Sequence, residues 1–155
     1  MEVDNHHHHR TILFLSTFIK IHSGTQRLTV STAGKTTVDV IAVRAGASTL
    51  QLMLSNFDYY NVPLSQQNIN LKVTAQRAPN NLASVVRVDE THANAFPVWT
   101  AAGSPTYPSR ALLEQLQAAS ELAEESVPVK YVGNNTYSVV ITLPPYGVAL
   151  ITVDL

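Results

Sequence analysis

From Gln26 onward, apolar and polar residues alternate with a period of two along most of the chain. That spacing marks strands with one face turned to a core. Leu28 and Val30 share a face in a first strand. Val38, Val40 and Ala42 alternate with Asp39, Ile41 and Val43, so the second strand carries apolar side chains on both faces. Gly46 turns the chain into residues 48–56. There Leu50, Leu52 and Leu54 point one way and Gln51, Met53 and Ser55 the other, the pattern of a half-buried antiparallel strand. Ile69, Leu71 and Val73 repeat the alternation after an aromatic loop, and Val86 and Val88 repeat it against Val85, Arg87 and Asp89. Three closing strands follow at residues 127–132, 136–143 and 147–155. Gly133-Asn134-Asn135 reads as a tight hairpin turn and Pro144-Pro145-Tyr146-Gly147 as the last turn.

One segment breaks the period. Residues 91–108 are irregular and end at Ser109, a side chain suited to cap a helix. Leu112, Leu116, Ala119 and Ala123 then recur at helical spacing. Glu121, Glu124 and Glu125 crowd the far end, where the helix dipole disfavours acids, so the helix should stop near Leu122. About eight strands plus one short crossover helix predict an all-β fold, a two-sheet antiparallel β-sandwich over residues 25–155. Residues 1–24 read as an N-terminal extension, with a disordered polar start and then an apolar segment at 11–21. That segment would bury Leu15, Phe18 and Ile19 as a helix and alternates poorly as a strand, so periodicity leaves its type open. A signal-peptide reading of it is opposed by Lys20 and by the lack of a small-x-small cleavage site.

The chain has 155 residues and a formal net charge of −1, with 14% charged residues. One domain with its own core is the expectation at this length. No basic face argues for a nucleic-acid partner. No run of eighteen apolar residues argues for a membrane-spanning helix. There are no cysteines, which excludes disulfides, thiol nucleophiles and Cys-based zinc sites. His6, His7, His8 and His9 are adjacent, whereas a structural metal site wants spaced ligands held by a fold, so no metal and no cofactor are expected. Nucleophile elbows, phosphate loops and dinucleotide fingerprints are also missing from the sequence.

The ordered set Asp89, His92, Asn94, Trp99, Gly103, Pro105, Tyr107 and Pro108 resembles a segment of the C-terminal β-sandwich of glycoside hydrolase family 39, the β-xylosidase and α-L-iduronidase family. The likeness is strongest over residues 85–122. It extends through the Leu143-Pro144-Pro145-Tyr146-Gly147 run, which is similar to the family's closing hairpin, and covers roughly residues 25–155. The resemblance implies a family whose two catalytic glutamates sit at the mouth of a (β/α)8 barrel. Such a barrel needs over about 200 residues. No Asn-Glu dipeptide of the kind used for the family's acid/base occurs here, so no catalytic residue is carried over and no enzyme activity is expected. The implied role is that of a non-catalytic accessory domain, structural and carbohydrate-binding, with a xylan-type or other extracellular glycan as partner and an extracellular or secretory setting. The alternative is a protein-interaction or self-associating module, a homo-oligomer using the apolar face that packs on the barrel in the family.

Candidate side chains each carry two readings. Asp89, Glu90, His92 and Asn94 form the densest polar cluster. They read either as a sugar or metal site or, more simply, as partners for the backbone of an irregular loop. Arg87 is expected to pair with a strand-end carboxylate. Tyr59 and Tyr60, with Phe57 and Asp58, form the better candidate sugar platform, because aromatic faces take pyranose rings and polar neighbours take hydroxyls. Trp99 either binds sugar or pins its loop to the core. Tyr107, also read as a sugar contact, reads alongside Tyr131, Tyr137 and Tyr146 as a packing residue. Asn134, in Asn134-Asn135-Thr136, is a glycosylation acceptor if the host is eukaryotic and secretory.

Overall fold

A computed structural model describes residues 26–34, 36–58 and 63–155. The expected extension at 1–24, with its apolar segment, lies outside the described residues. Eight strands form in the order β1 (Gln26–Arg27), β2 (Val38–Ala45), β3 (Thr49–Asn56), β4 (Gln67–Thr74), β5 (Leu82–Val88), β6 (Glu124–Gly133), β7 (Thr136–Leu143) and β8 (Val148–Asp154). Two helices, α1 (Phe96–Ala101) and α2 (Arg110–Ser120), interrupt them between β5 and β6. All neighbouring strands run antiparallel. The strand order is β1-β2-β3-β8-β5-β6-β7-β4, one continuous eight-stranded sheet curled as a half-barrel. The expectation of two sheets therefore takes another form, since a separate second sheet is not seen among the described residues.

The curl is made at β6. Its first half pairs with β5, from Val86↔Glu124 to Leu82↔Pro128, and its second half pairs with β7, starting at Val129↔Val139. Pro128 sits at the hand-over, where a residue with no N–H to donate costs the ladder little. A register shift between Tyr131 and Gly133 bends the strand further. The concave face closes over one core. Leu50, Leu52 and Leu54 from β3, Val85 from β5, Ile151 and Val153 from β8, and Val139, Ile141 and Leu143 from β7 belong to the same buried cluster. Arg87 Nη1 donates to Thr142 O at 2.9 Å, tying β5 to β7 although β6 lies between them in the sheet.

The convex face is covered more thinly. Val88 and Leu150 are buried there with Met53, Val86, Val148 and Ala93, the last of these from the loop after β5. That cover makes β3 deeper than alternation predicts, because Gln51 is buried as well as the leucines. The first strand is shorter than expected. Leu28 only touches the ladder, donating its N–H to Ala42 O at 2.9 Å, and Val30 is exposed. Thr136–Leu143 matches its expected bounds, and the turn before it places Asn134 and Asn135 at φ 51° and 54°, a left-handed pair that asparagine tolerates.

The segment read as irregular contains a helix of its own. Pro97 stands in the first turn of α1, where its missing N–H is harmless, and Asn94 Oδ1 accepts the Phe96 N–H just ahead of it at 3.0 Å. Ser109 caps α2 as expected, accepting the Leu112 N–H at 3.3 Å. That helix ends at Ser120, so Glu124 and Glu125 open strand β6 instead of crowding a helix end.

Candidate functional site

The polar cluster lies where β5 runs out into its loop. Asp89 is only 4% exposed. Its Oδ1 accepts from Thr91 N at 2.8 Å, Thr91 Oγ1 at 3.0 Å and His92 N at 3.0 Å, while its own N–H donates to His92 O at 3.1 Å. One residue thus closes the turn to His92 with both its carboxylate and its backbone N–H, and Ala93 leaves that turn at φ 51°. His92 Nδ1 lies 2.8 Å and 2.9 Å from the two Asp89 oxygens. Its Nε2 lies 3.0 Å from Glu125 Oε1 on β6. Glu125 Oε2 in turn stands 3.2 Å from Arg87 Nε, close in charge but off the hydrogen-bonding line. A series of side chains in contact therefore runs from Arg87 through Glu125 and His92 to Asp89.

Burial by itself raises the pKa of the Asp89 carboxyl. The His92 hydrogen bond, the Thr91 N–H and hydroxyl, and the His92 charge together outweigh it and hold the group below the ordinary carboxylate range. Asp89, His92, Glu125 and Arg87 each face a neighbour within this set. Glu90 is exposed, and its carbonyl accepts from Asn94 Nδ2 at 2.8 Å. Among the described residues no group of three or more acidic or histidine side chains is placed to hold a metal ion. His6–His9 lie outside the described residues.

The candidate aromatics are dispersed. Trp99 is half-buried in α1, its ring 5.8 Å from Phe96, and Nε1 donates to Pro105 O at 3.2 Å. Tyr107, read with the packing tyrosines, is 91% exposed. Tyr131 and Tyr137 pack across strands at 5.4 Å. Phe57 packs edge-on against Tyr146 from the last turn, centroids 6.2 Å apart, and both rings remain nearly half exposed. Asp58 follows Phe57 at intermediate burial; Tyr59 and Tyr60 lie outside the described residues. Asn134 sits exposed at the tip of the hairpin between β6 and β7.

Two residues were not singled out by pattern. Glu125 receives both Arg87 and His92. Asn56, the last residue of β3, is fully buried. Its Nδ2 donates to Ser65 O and Pro144 O, each at 3.0 Å, and lies 3.4 Å from Leu143 O, while its Oδ1 accepts from Thr37 Oγ1 at 2.6 Å. Its backbone also pairs with Tyr146 and Gly147. One amide thus gathers the start of β2, the far end of the aromatic loop and the last turn, and so brings Phe57 to Tyr146. A polar residue ending an apolar strand beside an aromatic loop was the only signal for it.

The family model of glycosyl hydrolases family 39 matches residues 18–136. A β-xylosidase of Caldicellulosiruptor saccharolyticus is 37% identical over 119 residues, which is 76% of this chain and 24% of that protein. The chain belongs to glycosyl hydrolase family 39 and spans about a quarter of the length of the curated relative it matches. Solved structures share the fold. A bacterial orthologue of human α-L-iduronidase aligns with a TM-score of 0.59 at 18% identity, over 76% of this chain and 22% of its own. The family 39 enzyme of Xanthomonas axonopodis pv. citri aligns at 0.54 and 15%, over 74% and 25%. A family 30 endoxylanase of Clostridium papyrosolvens aligns at 0.53 and 12%, over 94% and 28%.

Proposed function

We propose that the chain acts as a non-catalytic accessory β-domain of the family 39 type, structural in role and able to bind carbohydrate weakly. The observation that carries this reading is the pairing of a quarter-length match to a β-xylosidase with an antiparallel curled sheet. Family chemistry by a retaining carboxylate pair needs a barrel of parallel strands to hold the two groups roughly 5 Å apart. Here Asp89 and Glu125 are spent on Thr91, His92 and Arg87. In this reading the curled sheet serves as the family's two-layer sandwich. Strands β2, β3, β8 and β5 form one layer, β7 and β4 the other, and residues 25–155 form a single unit behind an N-terminal extension.

The sugar surface would centre on Phe57, with Asp58, Tyr59 and Tyr60 beside it, and Tyr107 and Trp99 would be secondary contacts. The partner class is a xylan-type or similar extracellular glycan. Asn134 would carry a glycan only in a secretory eukaryotic host. Pure protein is expected to release no product from an aryl-β-xyloside above buffer; measurable turnover that survives repurification rejects the non-catalytic role. Retardation in xylan-containing native gels that is lost in Phe57→Ala and Tyr60→Ala supports sugar binding, and mobility unchanged by xylan removes it.

A further inference from the structure

The two edges of the sheet are unlike. β1 is two residues long, Gln26–Arg27, and both are exposed. β4 runs for eight residues, pairs with β7 on one side, and has no strand on its other side among the described residues. Its register with β7 runs unbroken from Gln67↔Leu143 to Thr74↔Thr136. It has no proline and no bulge, and its single charge is Lys72. Natural edge strands are normally blunted by shortness, charge, proline or a bulge, because a straight unpaired edge recruits another strand. Burial points the same way. Val139, Ile141 and Leu143 on β7 are almost completely buried, whereas Ile69, Leu71 and Val73 on β4 pack on the same core and stay partly exposed. Among the described residues the core is open at this edge.

We propose that β4 is a docking edge for a second copy of this chain, pairing antiparallel with its own counterpart about a two-fold axis at Leu71. This inference is independent of the sugar-binding reading. The strand's own pattern selects the axis. With Leu71 opposite the partner's Leu71, Ile69 meets the partner's Val73, and every inward apolar side chain faces another. On the outer side Asn70 meets the partner's Lys72, and Asn68 meets the partner's Thr74, so the strand's only charge never faces itself. An axis at Asn70 would instead set Val73 against the partner's Gln67. Directly opposed side chains on one face are the unit of such pairing, and an isologous contact of this kind closes as a dimer.

Sedimentation velocity of the full chain across a wide concentration range tests this, with Asn70→Glu and Asn70→Lys as matched variants. Both replace the exposed Asn70 and lose the same contact with Ser138 Oγ, at 2.6 Å, so their difference isolates the seam. The wild-type chain is expected to show a reversible monomer–dimer equilibrium. Asn70→Glu places two opposite-charge pairs across the axis and should tighten Kd by roughly three- to tenfold. Asn70→Lys places two like-charge pairs there and should weaken it by a similar factor, and Asn70→Lys combined with Lys72→Glu should restore it. The spread should shrink in high salt. Circular dichroism and melting of the two variants should agree with each other. A chain that is monomeric at every concentration, or a dimer whose Kd both substitutions leave unchanged or move in the same direction, overturns the proposal.

Discussion

The centre of the sheet and the segment between β5 and β6 are held by different forces. In the centre, Leu54, Val85 and Ile151 are completely buried, and the same cluster draws on β2, β3, β5, β7 and β8. Between β5 and β6, neither helix contains a buried residue, and Asp89 is the one buried side chain that anchors the loop. Burial is non-directional and accepts many apolar combinations of similar volume. A turn closed by Asp89, Thr91 and His92, or a loop closed by Trp99 on Pro105, depends on particular atoms at particular spacings. That is why the residues that announce the family sit in the less buried segment, while the residues that hold the fold together are anonymous leucines and valines.

The sharpest way to break this contrast is at the centre. Leu54→Ala should cost about 2–5 kcal/mol, read as a lowered urea midpoint with an unchanged slope. A cost below about 1 kcal/mol would mean that the centre is not the stabilising region.

Asp89→Ala should cost about 2 kcal/mol, because it removes hydrogen bonds to a charged acceptor and leaves Thr91 N–H and His92 without their partner. The same residue sets a pH dependence. Its carboxyl is held below its ordinary value of 3.8 in the folded chain, so its contribution is fully present above that value and is lost as pH falls through the lowered folded-state value. Stability profiles of wild type and Asp89→Asn should therefore converge in acid, and parallel profiles down to the acid limit would remove Asp89 from that role.

The smallest effect is expected on α2. Leu113 is 52% exposed, so Leu113→Ala should change stability by no more than about 0.5 kcal/mol. A loss approaching that of Leu54→Ala would show that the helical segment is covered in solution and would erase the distinction between the two regions.

Much of the fold was legible from period and punctuation. Alternation located seven of the eight described strands and set the first one slightly too far along the chain, and Ser109 located the start of α2, because side-chain direction in a strand and capping at a helix end are local consequences of local residues. Val30 was misplaced because an apolar residue continues the pattern even where the ladder has ended. Helix α1 was missed because six residues are too few for periodicity to register, and its start is set by Asn94 and Pro97 inside a loop. Glu125 was assigned to a helix end because its partners, Arg87 and His92, are more than thirty residues away in sequence.

What the sequence by itself determined is the alternation that makes strands, the cap that starts α2, and the spaced polar and aromatic residues that identify the family. Each of these depends on neighbours within a few positions. Only the tertiary structure decided that β6 would divide its pairing between β5 and β7 and curl eight strands into one sheet. It alone placed Asn56 at the meeting of three segments, set Glu125 between Arg87 and His92, and put β4 at the edge of the sheet among the described residues. Those features arise from contacts between residues far apart along the chain, where burial and hydrogen-bond satisfaction are settled jointly and no local pattern carries the answer.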